Sequence, residues 1–307
     1  MQTENLHTPK FAMVRPLSLA QHTLYADLTE QGSDAVFDPE FPENGSIIVR
    51  GNRPGAPALH AYYQGYRARA GAAGQGQRFA RYLGRADDPA VAARIARFQR
   101  IKAVRAERAT TVRALIGAGM PKPDRMAGRI VEALARAGLF SDHAVLIGDA
   151  AVQTYGGVLG VRLPKPRKTF QSDRPAVEIA IPDRSQRSSI LDILHTIDPS
   201  FAIVTGVAKT YRSAEGSEVI VTSPDCADEA TSAISGFLVT RAVQAIVLYG
   251  PGIPVSVPVP ERYVAYAQIA YRTAISTGLH DLIDAFTLAG REGRLAEARA
   301  ELRSLLR

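Results

Sequence analysis

The sequence is poor in the residues that build several kinds of site. It has a single cysteine, Cys226, so no internal disulfide can form, and we expect a reducing, cytoplasmic setting. With one cysteine and six scattered histidines, the sequence offers no zinc constellation. No apolar run approaches the roughly 18 residues that a membrane span requires, and the opening MQTENLHTPK carries no apolar signal region. These absences exclude membrane-spanning, disulfide-rich and zinc-dependent classes and predict a globular protein.

Closely spaced carboxylates are also scarce. The only Asp-x-Asp/Glu string is Asp38-Pro39-Glu40, in a proline-broken N-terminal segment. Two-metal phosphoryl transfer needs carboxylates that bridge the metal ions, and Asp-x-Asp on one strand supplies them because alternate residues point to the same side. The sequence therefore predicts no metal site.

Basic residues are present in excess, and they are concentrated in one region. The whole chain carries a net charge of +7. Between Arg50 and Arg113 there are fourteen Lys and Arg residues against three acids, a local charge of +11, so the remainder, with 23 basic and 27 acidic residues, carries −4. Such asymmetry predicts a polyanionic partner or an acidic protein surface.

Apolar periodicity and turn-forming residues divide the chain into three regions. Residues 1–139 form a basic β-hairpin and helical region, in which Asp87-Asp88-Pro89 opens a long helix and Asp124 caps a second one. Residues 140–259 alternate short apolar runs with helical segments, and residues 260–307 form a helical C-terminal segment. The order predicts an α+β protein with a mixed sheet and flanking helices.

The central region begins with an informative stretch. Residues His143 to Ile147 are apolar enough for a buried strand, Gly148-Asp149 stops it, and Ala150 to Tyr155 starts a helix whose N-terminus Asp149 is suited to cap. A second strand, Val177 to Ile181, follows. This order is typical of the opening of a polymerase-β-like nucleotidyltransferase fold. Three segments, YYQGYRARAGAAGQGQRFARYLG, VLIGDAAVQTYGGVLGVRLP and AIVLYGPGIPVSVPVPERYVAY, resemble in the same order a bacterial family of nucleotidyltransferase-fold proteins of unestablished activity.

The resemblance implies a nucleotide site that this sequence does not complete. In the family, the turn at Gly148-Asp149 holds phosphates, an Asp-x-Asp pair follows the GVRLP segment, and a third acid lies on a later strand. An ungapped alignment puts Lys168 and Phe170 at the paired acids and Ile220 at the third. The resemblance also makes strands 177–181 and 219–222 neighbours. Gly148, Asp149, Lys168, Phe170 and Ile220 are thus predicted to be positions of a degenerate nucleotide site.

Two interpretations of the central region follow. The first is a catalytically degenerate protein, a binding or regulatory module that needs no cofactor. The second is an active nucleotidyltransferase that uses Mg²⁺ and a nucleoside triphosphate to modify a protein or RNA, as in toxin–antitoxin pairs. Its acids would be Asp149, Asp173 and Glu178 in an unfamiliar arrangement. The missing Asp-x-Asp favours the first.

The basic region contains a candidate binding surface of its own, in which tyrosines alternate with arginines. Arginine contacts to phosphates beside aromatic stacking are typical of nucleic-acid surfaces, whereas tyrosines packed on the long helix would leave only a solvated basic face. We expect the partner to be nucleic acid or an acidic protein. The predicted binding residues are Tyr63, Tyr66, Arg67, Arg69, Arg78, Arg81 and Arg85.

Overall fold

The computed structural model of the chain describes residues 14–32, 36–38, 40–41, 45–51, 58–67, 77–141, 144–163, 176–182, 187–204, 209–223, 229–270 and 277–306. Within these residues, no helix is both long enough and apolar enough to cross a membrane. The described ranges contain a five-stranded sheet, a separate three-stranded sheet and two strand pairs, surrounded by helices.

The elements follow one another in three groups. The N-terminal group contains β1 (Arg15–Pro16), α1 (Leu19–Glu30), β2 (Ser46–Gly51), β3 (Leu59–Arg67), β4 (Gln77–Arg85), α2 (Pro89–Gly117) and α3 (Arg125–Arg136). The central group contains β5 (Val145–Ile147), α4 (Gly148–Leu159), β6 (Val161–Arg162), β7 (Ala176–Ala180), α5 (Arg187–His195), β8 (Ala202–Val204), β9 (Lys209–Arg212), β10 (Glu218–Thr222), α6 (Glu229–Thr240), β11 (Ala242–Val247) and β12 (Ile253–Pro258). The last group contains α7 (Pro260–Ala270), α8 (Thr277–Leu288) and α9 (Glu292–Leu305).

The five-stranded sheet lies within the largest core, in the order β5-β7-β10-β9-β8. Strands β7 and β10 are parallel, and the other neighbouring pairs are antiparallel. Val177 and Ile179 on β7 share one buried face with Val219 and Val221 on β10, because alternate residues of a strand point to the same side. This mixed sheet flanked by helices confirms the predicted α+β class. The pairing of β7 with β10 confirms the predicted neighbours.

The three-stranded sheet, in the order β2-β3-β4, is antiparallel and packs on the first half of α2. The helix begins where the sequence predicts, because Asp88 accepts a hydrogen bond from the amide of Ala90 and Pro89 fits the first turn. With 29 residues it is about 43 Å long at 1.5 Å per residue. Its second half therefore reaches another core, where Val112 and Leu115 pack with residues of α1 and β11.

Tyr25 connects helix α1 to the central region. Its ring lies against α4 so closely that a Cβ built on Gly157 would be 2.2 Å from it. The buried hydroxyl accepts from the amide of Ile246 at 2.9 Å and lies 3.3 Å from the carbonyl oxygen of Thr154, to which it donates. Burial raises the pKa of this hydroxyl far above its ordinary value, so it remains protonated.

Arg108 joins three elements through a buried guanidinium group. It is 1% exposed and lies on α2. Its nitrogens donate to the carbonyl oxygens of Leu28 at 3.0 Å, Pro251 at 3.0 Å and Gly252 at 3.2 Å, and to the side chain of Gln31 at 2.8 Å. Burial lowers the pKa of Arg108, but a guanidinium stays charged at neutral pH. The helix is thereby fixed to the end of α1 and to the turn between β11 and β12.

One local prediction was wrong, and one helix was not predicted. Asp149 does not cap α4: the cap position is Ile147, which makes no side-chain cap bond, and Asp149 lies in the first turn. Helix α6 was not predicted, because its sequence EATSAISGFLVT mixes β-branched residues with Gly236 and lacks a clear polar face. By contrast, the predicted cap at Asp124 is confirmed by its bonds to the amides of Met126 and Ala127.

The Arg108 contacts predict a large loss of stability on truncation. Arg108→Ala would leave three buried carbonyl oxygens without a donor, and we expect the free energy of unfolding to fall by at least about 3 kcal/mol. Arg113→Ala is the matched control on the same helix, because Arg113 is exposed and donates to Ala109 and Thr110 of its own helix. The control should change stability by less than about 0.5 kcal/mol. Urea unfolding measures both, and equal losses would contradict the role given to Arg108.

Candidate functional site

The end of β5 and the start of α4 meet strand β7 at one point. Gly148 opens α4 with a φ of +69°, a conformation that favours glycine. Glu178 on β7 is the cross-strand partner of Ile147. A Cβ built on Gly148 would lie 2.7 Å from Oε1 of Glu178, so the carboxylate lies directly against the glycine turn. This places an acid beside the helix N-terminus, where the partial positive charge favours anions.

Ile220 on β10 is the strand partner of Glu178. The same row continues to Thr210 on β9, and all three side chains are half-buried, whereas the valines and the isoleucine on the opposite face of β7 and β10 are fully buried. In the next row, Arg212 donates to Glu218 at 2.7 Å. The row that contains Glu178 therefore presents one carboxylate, one aliphatic side chain and one hydroxyl.

The other predicted positions of this site are distributed differently. Asp149 is exposed in the first turn of α4. Lys168, Phe170 and Asp173 lie outside the described residues. Among the described ranges, no group of three or more His, Cys, Asp or Glu residues could hold a metal ion. Glu178 is thus the predicted acid that the fold brings against the turn and beside Ile220.

The three-stranded sheet has an inner face that packs on α2. Tyr63 is 1% exposed and contacts Phe41, Phe79 and Phe98, with ring centroids 5.5 to 5.9 Å apart. Burial raises the pKa of the Tyr63 hydroxyl. The predicted binding residue Tyr63 is therefore part of the packing between sheet and helix in this fold.

The outer face of the same sheet is aromatic and basic. Tyr62 and Tyr82 are strand partners with ring centroids 5.4 Å apart, and Tyr82 is 54% exposed. The His60 ring lies 5.7 Å from the Tyr82 ring, and its Nδ1 lies 3.0 Å from the Tyr82 hydroxyl. The guanidinium of Arg50 lies 4.8 Å from the centroid of the Tyr62 ring. We call the set Arg50, His60, Tyr62, Arg78 and Tyr82 the outer aromatic face.

The arginines of this region have two kinds of environment. Several are bound to the acidic segment of Asp38 and Glu40: Arg94 pairs with Glu40, Arg97 donates to Asp38 at 2.7 Å, and Arg81 donates to the Glu40 carbonyl oxygen at 2.9 Å. These two acids precede the window in which the charge of +11 was counted. Part of that excess is therefore neutralised within the fold.

The remaining predicted binding residues are Arg85, Arg78, Tyr66, Arg67 and Arg69. Arg85 is exposed and pairs with Asp87 at 2.6 Å, which lowers the pKa of that carboxyl. Arg78 is exposed and donates to the side chain of Gln64. For Tyr66 and Arg67 the structure describes only the backbone, as part of strand β3. Arg69 lies outside the described residues.

Arg50, His60, Tyr62 and Tyr82 are not among the predicted binding residues, although the sequence contained a signal for them. On a two-residue period, Ile47 and Val49 share the inner face of β2, which sends Ile48 and Arg50 outward. The same period puts Phe79, Arg81 and Leu83 on one side of β4 and Arg78, Ala80 and Tyr82 on the other. The outer face could thus have been separated from the inner one.

The contact between Gly148 and Glu178 predicts an energetic coupling. Gly148→Ala should cost about 1–2 kcal/mol for the left-handed backbone alone, and more because the new methyl meets the carboxylate. Gly32→Ala is the control for the backbone part, since Gly32 has a φ of +64° and no atom within 4 Å of a built Cβ. In a double-mutant cycle measured by urea unfolding, Gly148→Ala should destabilise the protein less in the Glu178→Ala background, because the carboxylate that the new methyl meets is absent there. Strictly additive losses would contradict this geometry.

Comparison with known proteins found a family whose model matches the central region. Residues 125–276 match a family described as nucleotidyltransferase. The matched segment begins with α3 and includes β5, the glycine turn, β7 and β10. No significant match was found among curated proteins or among solved structures. Residues 125–276 of this chain are therefore similar to a nucleotidyltransferase family.

Proposed function

We propose that this domain no longer transfers nucleotides and that the protein is a binding or regulatory module whose basic N-terminal surface holds nucleic acid. The observation that carries the first half is the pairing of Glu178 with Ile220 across two parallel strands. The family resemblance implies an acid at Ile220, and an isoleucine offers no oxygen to a metal ion. The site beside the glycine turn thus loses a ligand where transfer chemistry requires one.

The residues of this row do not fit a two-metal site. Mg²⁺ takes oxygen ligands in near-octahedral geometry, and two-metal catalysis needs several carboxylate oxygens on adjacent positions. The described row supplies Glu178 together with Ile220 and Thr210. The proposed function therefore uses neither Mg²⁺ nor a nucleoside triphosphate.

The second half of the proposal rests on the composition of the three-stranded sheet. Its strands of six, nine and nine residues contain no Asp or Glu. They contain Arg50, Arg67, Arg78, Arg81 and Arg85. A surface with cations beside aromatic rings matches the phosphates and bases of nucleic acid, whereas an acidic protein would need only the charge. The aromatic component therefore favours nucleic acid over the acidic protein.

One observation favours an active enzyme as the second candidate. The Glu178 carboxylate lies against the glycine turn, at a place where a metal-bound nucleotide would meet the strand. An enzyme that modifies a protein or RNA, as in toxin–antitoxin pairs, would use Glu178 with Asp149 and with Asp173, and it would require Mg²⁺ and a nucleoside triphosphate.

The two candidates predict opposite results in a transfer assay. We expect no incorporation of label from any α-labelled nucleoside triphosphate into protein or RNA, with Mg²⁺ or Mn²⁺, because the row offers too few oxygens for two metals. The matched variant is Glu178→Gln, which removes the charge and keeps the shape. Incorporation that Glu178→Gln abolishes would establish the active enzyme in place of the binding module.

Binding to nucleic acid should depend strongly on salt, because each neutralised phosphate releases counterions. We expect the double variant Arg50→Ala, Arg78→Ala to bind more weakly. For a single strand, the slope of log affinity against log salt should decrease in magnitude by roughly 1.4. Arg303→Ala, an exposed position on α9, is the control for a charge lost elsewhere. Fluorescence anisotropy on duplex DNA, single strands and RNA provides the measurement. If none of them binds at low salt, an acidic protein becomes the better partner.

A further inference from the structure

We infer that the outer aromatic face binds single-stranded nucleic acid by stacking unpaired bases on Tyr62 and Tyr82. The inference rests on the proposed function and specifies its ligand. It also moves the point of contact from Tyr63, which is buried against α2, to residues on the opposite side of the pleat.

The rings form a continuous row on two neighbouring strands. Tyr82 lies between His60 and Tyr62, with centroid distances of 5.7 Å and 5.4 Å. The row is extended on β2 by Ile48, the strand partner of Tyr62. Tyr82 is 54% exposed, so much of its ring surface is accessible to a ligand. A planar base can stack on such a row of rings.

Cations lie on both sides of this row. The guanidinium of Arg50, on the edge strand β2, lies over the Tyr62 ring at 4.8 Å from its centroid. Arg78 lies four residues before Tyr82 on β4, about 13 Å away along the strand. These exposed guanidinium groups can contact phosphates on either side of a stacked base, and the strands offer no carboxylate that would repel the backbone. Charge complementarity thus selects a polyanion.

The stacking geometry selects unpaired bases. In a duplex the bases are stacked on one another, so an external ring reaches only their edges in a groove. In a single strand the base faces are accessible, and aromatic side chains stack on them with little sequence preference. RNA and DNA share this chemistry, so the face accepts either strand.

The packing of the sheet makes the face testable by substitution. The inner side chains hold the sheet on α2, whereas Tyr82 on the outer face contacts the rings of His60 and Tyr62. Tyr82→Ala removes a ring, whereas Tyr82→Phe keeps the ring and removes the hydroxyl that faces His60. Circular dichroism and urea unfolding verify that both variants remain folded.

The experiment compares four labelled 12-mers by fluorescence anisotropy at low salt: oligo-dT, oligo-rU, a duplex, and an abasic strand with the same phosphates. We expect both single strands to bind more tightly than the duplex and the abasic strand. Tyr82→Ala should weaken the single strands about tenfold, leave the abasic strand unchanged, and be rescued by Tyr82→Phe. The ratio of the affinities for oligo-rU and oligo-dT then shows whether the face prefers RNA or DNA.

Each contrary result has a separate meaning. If the abasic strand binds as tightly as oligo-dT, or if the duplex binds best, stacking is overturned while the nucleic-acid partner stands. Equal effects of Tyr82→Ala and Tyr82→Phe would also overturn it, because the ring would then be irrelevant. If none of the four binds, the proposed nucleic-acid function fails together with this inference.

Discussion

The buried guanidinium of Arg108 is the interaction on which the arrangement of the N-terminal elements depends. It has carbonyl dipoles as partners, from the end of α1 and from the turn between β11 and β12. A charge in a protein interior is tolerated only when such groups surround it, so the three elements hold one another in a single relative position. Because α2 also carries the three-stranded sheet, that position fixes the outer aromatic face with respect to the region that matches the nucleotidyltransferase family.

The arginines of the N-terminal region divide into structural and outward-facing groups. Arg94 and Arg97 on α2 are bound to Asp38 and Glu40, so the acidic segment and the helix stabilise each other. Arg50 and Arg78 belong to the sheet instead, and they lie beside its aromatic rings or toward its edge. Charge counted along the sequence therefore overstates the charge that a partner meets. What distinguishes the outer face is the combination of exposed rings with cations on one side of a sheet.

Local signals in the sequence predicted much of the fold. The capping aspartates at Asp88 and Asp124 and the neighbouring strands β7 and β10 follow from short-range chemistry or from the family order. The role of Glu178 was harder to predict, because its position against Gly148 depends on the antiparallel register of β5 with β7. Likewise, Tyr63 and Tyr62 are adjacent in sequence and similar in chemistry. Tyr63 is the one that packs against Phe41 and Phe98, which are distant along the chain.

The hydroxyl of Tyr25 has a consequence for how the chain is made. Its partner amide at Ile246 is 221 residues further along the sequence. At a synthesis rate of roughly 5–20 residues per second, α1 is complete about 10–45 seconds before the strand that receives it exists. During that interval α1 can already pack on α2 and α4, but the hydroxyl of Tyr25 lacks the amide of Ile246. The packing of α1 is thus completed only after the C-terminal half of the chain has been synthesised.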